Sequence, residues 1–148
     1  MNLDAVAIIV SLISLSFAII SFFIQLSREK KINRINLESE YFSEIYKEHL
    51  IKNIPNARRY INFIGEKFTG TENMIDLLQE IQRDSLYYYY KDPKFYQKMK
   101  EKIQVLEDFL AANEGKMYQG EEQTEIMNKI KSYIEDIYGC ICNYMVGE

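Results

Sequence analysis

Apolar side chains fill one stretch near the start of the chain, Ala5 to Leu26, and beyond it they recur every three or four residues. The stretch is long enough to cross a bilayer as one helix, since about 20 apolar residues suffice at a rise of ~1.5 Å per residue. Small and polar residues interrupt it at Asp4, Ala7, Ser11, Ser14, Ala18, Ser21, Gln25 and Arg28, alternately three and four positions apart. That spacing is the heptad seam, so on a helix these residues form a single stripe. The other positions are mostly Val, Ile, Leu and Phe, which suit lipid, although Ala5 and Ser16 depart from the segregation. The pattern predicts a membrane helix over residues 5–27 after a short extracytoplasmic tail, 1–4, with the stripe turned toward sister copies. Small residues let such helices approach closely, and serine hydroxyls bond across the contact. In an assembly of roughly four or more copies the same stripe would line a narrow polar path, with Asp4 at the outer mouth and Gln25 and Arg28 at the inner one.

The flanks set the expected orientation. Arg28, Lys30, Lys31 and Arg34 follow the apolar run against a single Glu29, whereas only Asp4 precedes it. Basic flanks stay in the cytoplasm, which predicts an inner-membrane protein with its amino terminus outside and the bulk of the chain inside. Without a basic start or a small-x-small cleavage site, the segment reads as an uncleaved anchor and not a signal peptide.

After the anchor the pattern is helical throughout, with no alternating strand pattern and no Asn-Gly or Asp-Gly hairpin signal. Ile32, Ile35, Phe42, Ile45 and His49 keep one face, so residues 28–52 predict a juxtamembrane coupling helix, polar enough from Asn33 to Ser39 to hinge or fray. Pro55 opens a second helix with Ile61, Ile64 and Phe68 on its apolar side. Thr71 caps a third through Met74, Leu77, Leu78 and Ile81. Asp92-Pro93 starts a fourth carrying Phe95, Met99, Ile103, Leu106 and Leu110. Gly115 and Gly120 bracket a loop, and a last helix from about Glu122 carries Ile126, Ile130, Ile134, Ile137 and Ile141. Gly139 inside that helix costs about 1 kcal/mol against Ala or marks a close helix contact. The predicted fold is all-α: one amino-terminal transmembrane helix followed by a four- or five-helix cytoplasmic bundle, residues 53–148.

Charge and chemistry narrow the function. The part after the anchor carries 18 basic against 21 acidic side chains, near −3, so any anion site is a local patch. No nucleophile constellation, phosphate-binding glycine loop or metal-ligand cluster stands out, which predicts no enzyme, catalytic residue, cofactor or metal. Cys140 and Cys142 read as helix-packing thiols, with His49 far away in sequence. The acid pairs Glu121-Glu122 and Glu135-Asp136 read as solvated helix faces. Two basic features remain. Tyr87 to Tyr90 are followed by Lys91, Lys94, Lys98, Lys100 and Lys102, with Phe95 and Tyr96 interleaved. Aromatic faces stack unpaired bases and lysines meet phosphates, which makes Tyr88, Tyr89, Lys91, Lys94 and Lys98 candidate ligand-binding residues. The alternative is two tyrosines in the core, two at a subunit contact, and an ordinary wet lysine face. Arg58 and Arg59 form the second candidate, a guanidinium pair able to grip phosphate or an acidic partner.

Tyr41-Phe42-Ser43-Glu44-Ile45, Ile54-Pro55-Asn56-Ala57-Arg58-Arg59-Tyr60-Ile61, Asp92-Pro93-Lys94-Phe95-Tyr96 and Leu106-Glu107-Asp108-Phe109-Leu110 complete a layout that resembles small single-pass membrane effectors of bacterial anti-phage defence, most of all those of the Hailong systems. The resemblance implies a homotetrameric pore whose cytoplasmic surface binds single-stranded oligodeoxyadenylate made by a partner nucleotidyltransferase, and which opens when that DNA is lost. The acidic balance of the soluble part departs from what a DNA sensor suggests. The rival expectation is a non-conducting, membrane-anchored helical module that recruits a cytoplasmic partner.

Overall fold

A computed structural model of the chain describes residues 3–146, with the side chains at 3–13, 15, 31, 33–38 and 146 outside that description. Asp4, Ala7 and Ser11 of the expected stripe therefore lie outside the described side chains. The chain forms two compact units, one as far as Tyr41 and one from Phe42 onward.

The first unit is helical and belongs to α1 (Leu3–Glu48). Apart from half-buried Leu26, its described apolar side chains are exposed: Phe17 is 67% and Phe23 65% accessible, with Ile19, Ile20, Phe22 and Ile24 close behind. Ser14, Ala18, Ser21, Gln25 and Arg28 are exposed as well. Among the described residues no helix is long and apolar enough to cross a membrane. Of the apolar run from Ala5 to Leu26, the side chains described are those at 14 and 16–26.

The second unit begins at Phe42, ahead of the expected boundary at residue 53, because Phe42, Tyr46 and His49 are themselves buried in its core. After α1 comes a π-helical turn, His49–Asn53, and then α2 (Ile54–Tyr60). A short hairpin, β1 (Asn62–Ile64) and β2 (Lys67–Thr69), precedes α3 (Glu72–Asp84), α4 (Leu86–Lys91), α5 (Pro93–Asn113) and α6 (Glu121–Val146). Phe42 stacks on Tyr144, Leu50 meets Tyr138 and Arg58 meets Met127, so the Phe42–Tyr60 segment runs antiparallel to α6. Thr71 reaches Glu114, and Ser85 reaches Met99, which makes α3 antiparallel to α5. Lys102 pairs with Asp136 and Phe109 with Tyr133, which makes α5 antiparallel to α6. The result is an up-down-up-down four-helix bundle. Its core is the periodic apolar set read from the sequence, including Leu78, Ile81, Met99, Ile103, Leu106, Leu110, Ile130 and Ile141.

The turn ahead of Pro55 has a clear cause. A proline inside an α-helix lacks the N–H for the carbonyl four residues back and crowds it. Here the helix widens: the N–H of Ile54 donates to the carbonyl of His49, five residues back. The same spacing would pair the Leu50 carbonyl with the missing N–H of Pro55, and the Tyr138 hydroxyl donates to that carbonyl instead. Tyr138→Phe is expected to leave it unpaired and to lower the unfolding free energy by about 1–3 kcal/mol in urea titration. An unchanged midpoint would mean that Tyr138 does not hold the turn.

Several local expectations change. Ile64 and Phe68 belong to strands, not to the second helix, which ends at Tyr60. Gly65 (φ +65°) and Glu66 form the two-residue turn between Ile64 and Lys67, and a glycine at the first position suits a hairpin whose second residue keeps a negative φ. Phe68 is wholly buried while Ile64 is exposed, as alternation along a strand requires. The loop before α6 extends this edge: Phe68 N–H donates to Lys116 O, and Gly115 N–H to Phe68 O, both at 2.9 Å. Thr71 sits at the start of α3 without capping it through its side chain; its hydroxyl donates to Glu114 at 2.6 Å. Asp92 does cap α5, accepting from the N–H of Phe95 at 3.1 Å, with Pro93 in the first turn. Gly139 marks no close contact, since a Cβ there would meet nothing within 4 Å.

Candidate functional site

The tyrosine run is divided by the short helix that carries it. Tyr88 is 3% exposed and enters an aromatic cluster, with Phe95 at 5.1 Å, Tyr144 at 5.5 Å and Tyr46 at 5.8 Å between centroids. Its ring therefore serves the core and presents no face to a base. Tyr87 and Tyr89 are half exposed and Tyr90 is 83% exposed. Tyr46, deeper in the cluster, donates to Ser85 Oγ at 2.8 Å, and Ser85 donates onward to the carbonyl of Ile81. Burial drives the Tyr46 hydroxyl far above its ordinary pKa despite the opposing effect of the Ser85 bond.

Tyr89 packs edge-on against Tyr96 at 5.4 Å, which fixes it to one flank of α5. Lys94 and Lys98 lie two positions either side of Tyr96, about 160° around the helix at ~100° per residue. They occupy the opposite flank, toward α6, where Lys98 and Lys102 lower the Cys140 thiol slightly against the larger upward push of burial. Lys94 and Lys98 have no carboxylate partner among the described residues, whereas Lys102 is engaged by Asp136 at 3.0 Å. Lys91 closes α4, next to Tyr90. The sequence pattern thus becomes two surfaces at one end of the bundle: tyrosines with Lys91 at the α4–α5 corner, and a lysine row along α5.

Arg58 and Arg59 do not act as a pair. Arg59 is exposed, while Arg58 turns inward, donating to the carbonyl of Ile61 at 3.3 Å and contacting the sulfur of Met127 at 3.7 Å. Desolvation lowers its guanidinium below the usual value, and among the described residues no carboxylate pairs with it. Because α2 has only seven residues, both arginines sit in its last turn, where the helix dipole favours cations. In a longer helix opened by Pro55 they would instead sit near its start, where the dipole disfavours cations. Met127 and Tyr144 are seventeen residues apart on α6, about 25 Å at ~1.5 Å per residue, so the arginines and the tyrosine cluster lie toward opposite ends of the bundle. One protomer cannot bring them together on a single short ligand.

A third cluster escaped the sequence reading. His49, at the start of the π-helical turn, is 5% exposed, and its Nε2 lies 2.9 Å from Asp84 Oδ2. Its Nδ1 is 3.2 Å from the Asn53 amide nitrogen. An amide nitrogen only donates, so Nδ1 accepts, and Nε2 carries the proton given to Asp84. A donor oxygen of Glu80 joins them, all three ligand atoms lying within 4.8 Å of one another. They open on a cleft of about 570 Å³, also lined by Glu44 and Glu48. The available signal was Glu80 and Asp84 four residues apart on one helix, together with a lone histidine on an apolar face.

Comparison with known protein families, with curated proteins and with solved structures gives no match for this chain.

Proposed function

We propose that the chain is a homo-oligomeric, tetrameric membrane effector whose amino-terminal helices assemble around a narrow polar path and whose bundle carries the surface for an anionic nucleotide ligand. The observation that carries the reading is the apolar exposure of α1 from Phe17 to Ile24. Leaving six such side chains in water costs on the order of 5–10 kcal/mol, which lipid and sister helices would relieve together. Ser14, Ala18, Ser21, Gln25 and Arg28 continue the polar line through this run and give the copies a face to share. The resemblance to Hailong effectors supplies the setting, anti-phage defence at the bacterial inner membrane, and the ligand class, single-stranded oligodeoxyadenylate from a partner nucleotidyltransferase. Lys94 and Lys98, one turn apart and unpaired among the described residues, suit a tracked phosphate backbone, and Tyr89, on the other flank of α5, offers a ring for stacking to a strand that wraps around this end of the bundle.

Full-length protein in detergent, titrated with a fluorescent single-stranded oligodeoxyadenylate at several salt concentrations, tests the sensor. Removing two phosphate contacts by Lys94→Glu with Lys98→Glu should make the log affinity–log salt slope shallower by about 1.4. Tyr89→Ala should weaken binding by about 1–3 kcal/mol while keeping the slope. An unaltered slope removes the lysine row from the site, and unaltered binding in both variants removes this end of the bundle.

A further inference from the structure

We infer that His49, Glu80 and Asp84 form a binding site for a first-row divalent metal ion, which ties the π-helical turn before Pro55 to the end of α3. An acidic surface alone would not suggest this. The distinguishing feature is an imidazole, 95% buried, at the base of an acid-lined cleft, with a ring nitrogen beside one carboxylate and near another.

The geometry is close to what a metal needs. The 2.9 Å between Nε2 and Asp84 Oδ2 is near the roughly 3 Å that separates adjacent ligands in an octahedron with bonds of ~2.1 Å. Glu80 lies one helical turn before Asp84 on α3, so both carboxylates approach from the same face. The Glu80 oxygen is the part that must draw in, and its side chain reaches the cleft from the surface. One imidazole nitrogen and two carboxylate oxygens, completed by water, suit Zn²⁺ or Mn²⁺. The main chain supports the arrangement, because the widened turn forced by Pro55 begins at His49.

Binding requires a defined proton rearrangement. With the Asn53 amide nitrogen facing Nδ1, the contacts pair as Asn53 N–H to Nδ1 and Nε2–H to Asp84. A metal takes the Nε2 lone pair, so the proton on Nε2 leaves through solvent and one returns to Nδ1, and the proton count is unchanged. Nδ1–H then faces the Asn53 amide, which turns over about its last torsion and presents its carbonyl oxygen. A metal-bound histidine normally donates its other N–H to such an oxygen, which fixes ring and tautomer. Asn53 is a positioning residue, matched to both states because its amide has a donor and an acceptor of nearly equal size.

The test uses the full chain in detergent, stripped of metal with chelator and titrated with Zn²⁺ alone. One equivalent should bind per chain. Glu80→Gln, at a surface position, should weaken that binding about tenfold or more without changing the far-UV spectrum. His49 is the only histidine, so its imidazole ¹⁵N signals report the tautomer without ambiguity. On Zn²⁺ addition Nδ1 should move from an acceptor-type to a protonated-type shift. Asn53→Asp, which accepts without having to turn over, should bind more tightly. No Zn²⁺ binding, or binding that leaves the His49 nitrogens unmoved and is indifferent to Glu80→Gln, overturns the site. Weaker binding by Asn53→Asp overturns the proton rearrangement.

Discussion

Gly70→Ala is expected to cost about 3–5 kcal/mol and to lower the midpoint of chemical unfolding more than substitution of any other glycine in the bundle. Gly70 has φ +82°, and a Cβ placed there would lie 2.0 Å from the carbonyl oxygen of Tyr60 and 2.9 Å from its carbon. Both are backbone atoms, which cannot swing aside as a side-chain tip would. The left-handed conformation alone costs a non-glycine residue about 1–3 kcal/mol. Relieving the overlap would also part the end of α2 from the end of the hairpin, where Ile61 and Phe68 are buried. Gly65→Ala separates the two contributions: Gly65 has φ +65°, but its Cβ would meet nothing within 4 Å. That variant should show only the conformational cost. Equal losses at Gly70 and Gly65 would mean that the close approach to Tyr60 does not constrain the fold.

Ser14→Leu combined with Ser21→Leu is expected to abolish ion conductance in planar bilayers while leaving the helical content unchanged. Both positions are exposed in α1, so their replacement removes no packing within the chain. In the proposed assembly the two hydroxyls face the shared axis two turns apart, and isobutyl groups there would fill and dry a narrow path. Phe22→Leu, a conservative change beside the seam, about 40° around the helix from Ala18, should conduct as the parent does. Undiminished current through the double serine variant would assign the path elsewhere, or show that the helix only anchors the bundle.

Periodicity made the bundle legible. The apolar positions recur every three or four residues over about two turns in α3 and about four in α5 and α6, and the Asp92 cap appears where an acid precedes proline. The hairpin was hidden because its strands have three residues each, too few for a period of two to declare itself. Ile61, Ile64 and Phe68 also satisfy helical spacing, and only the glycine at Gly65 distinguishes the two patterns. The candidate surfaces were legible as composition and not as geometry. A local run cannot tell that Tyr88 turns inward against Phe95, nor that Tyr96 separates Tyr89 from Lys94 and Lys98 around the helix. The His49–Asp84 contact joins residues 35 apart in the chain, and the meeting depends on how α3 folds back, which no short-range pattern encodes.

Disulfide trapping between protomers in native membranes addresses the shared polar face of α1 most directly. With exposed Cys142 replaced by Ser and Cys140 left buried in the bundle, a cysteine introduced at Ser14, Ser21 or Phe22 in turn would be oxidised and the products separated without reductant. Covalent dimers at Ser14→Cys and Ser21→Cys, severalfold above those at Phe22→Cys, are the predicted result. Dimers at Phe22→Cys with none at either serine position would contradict it.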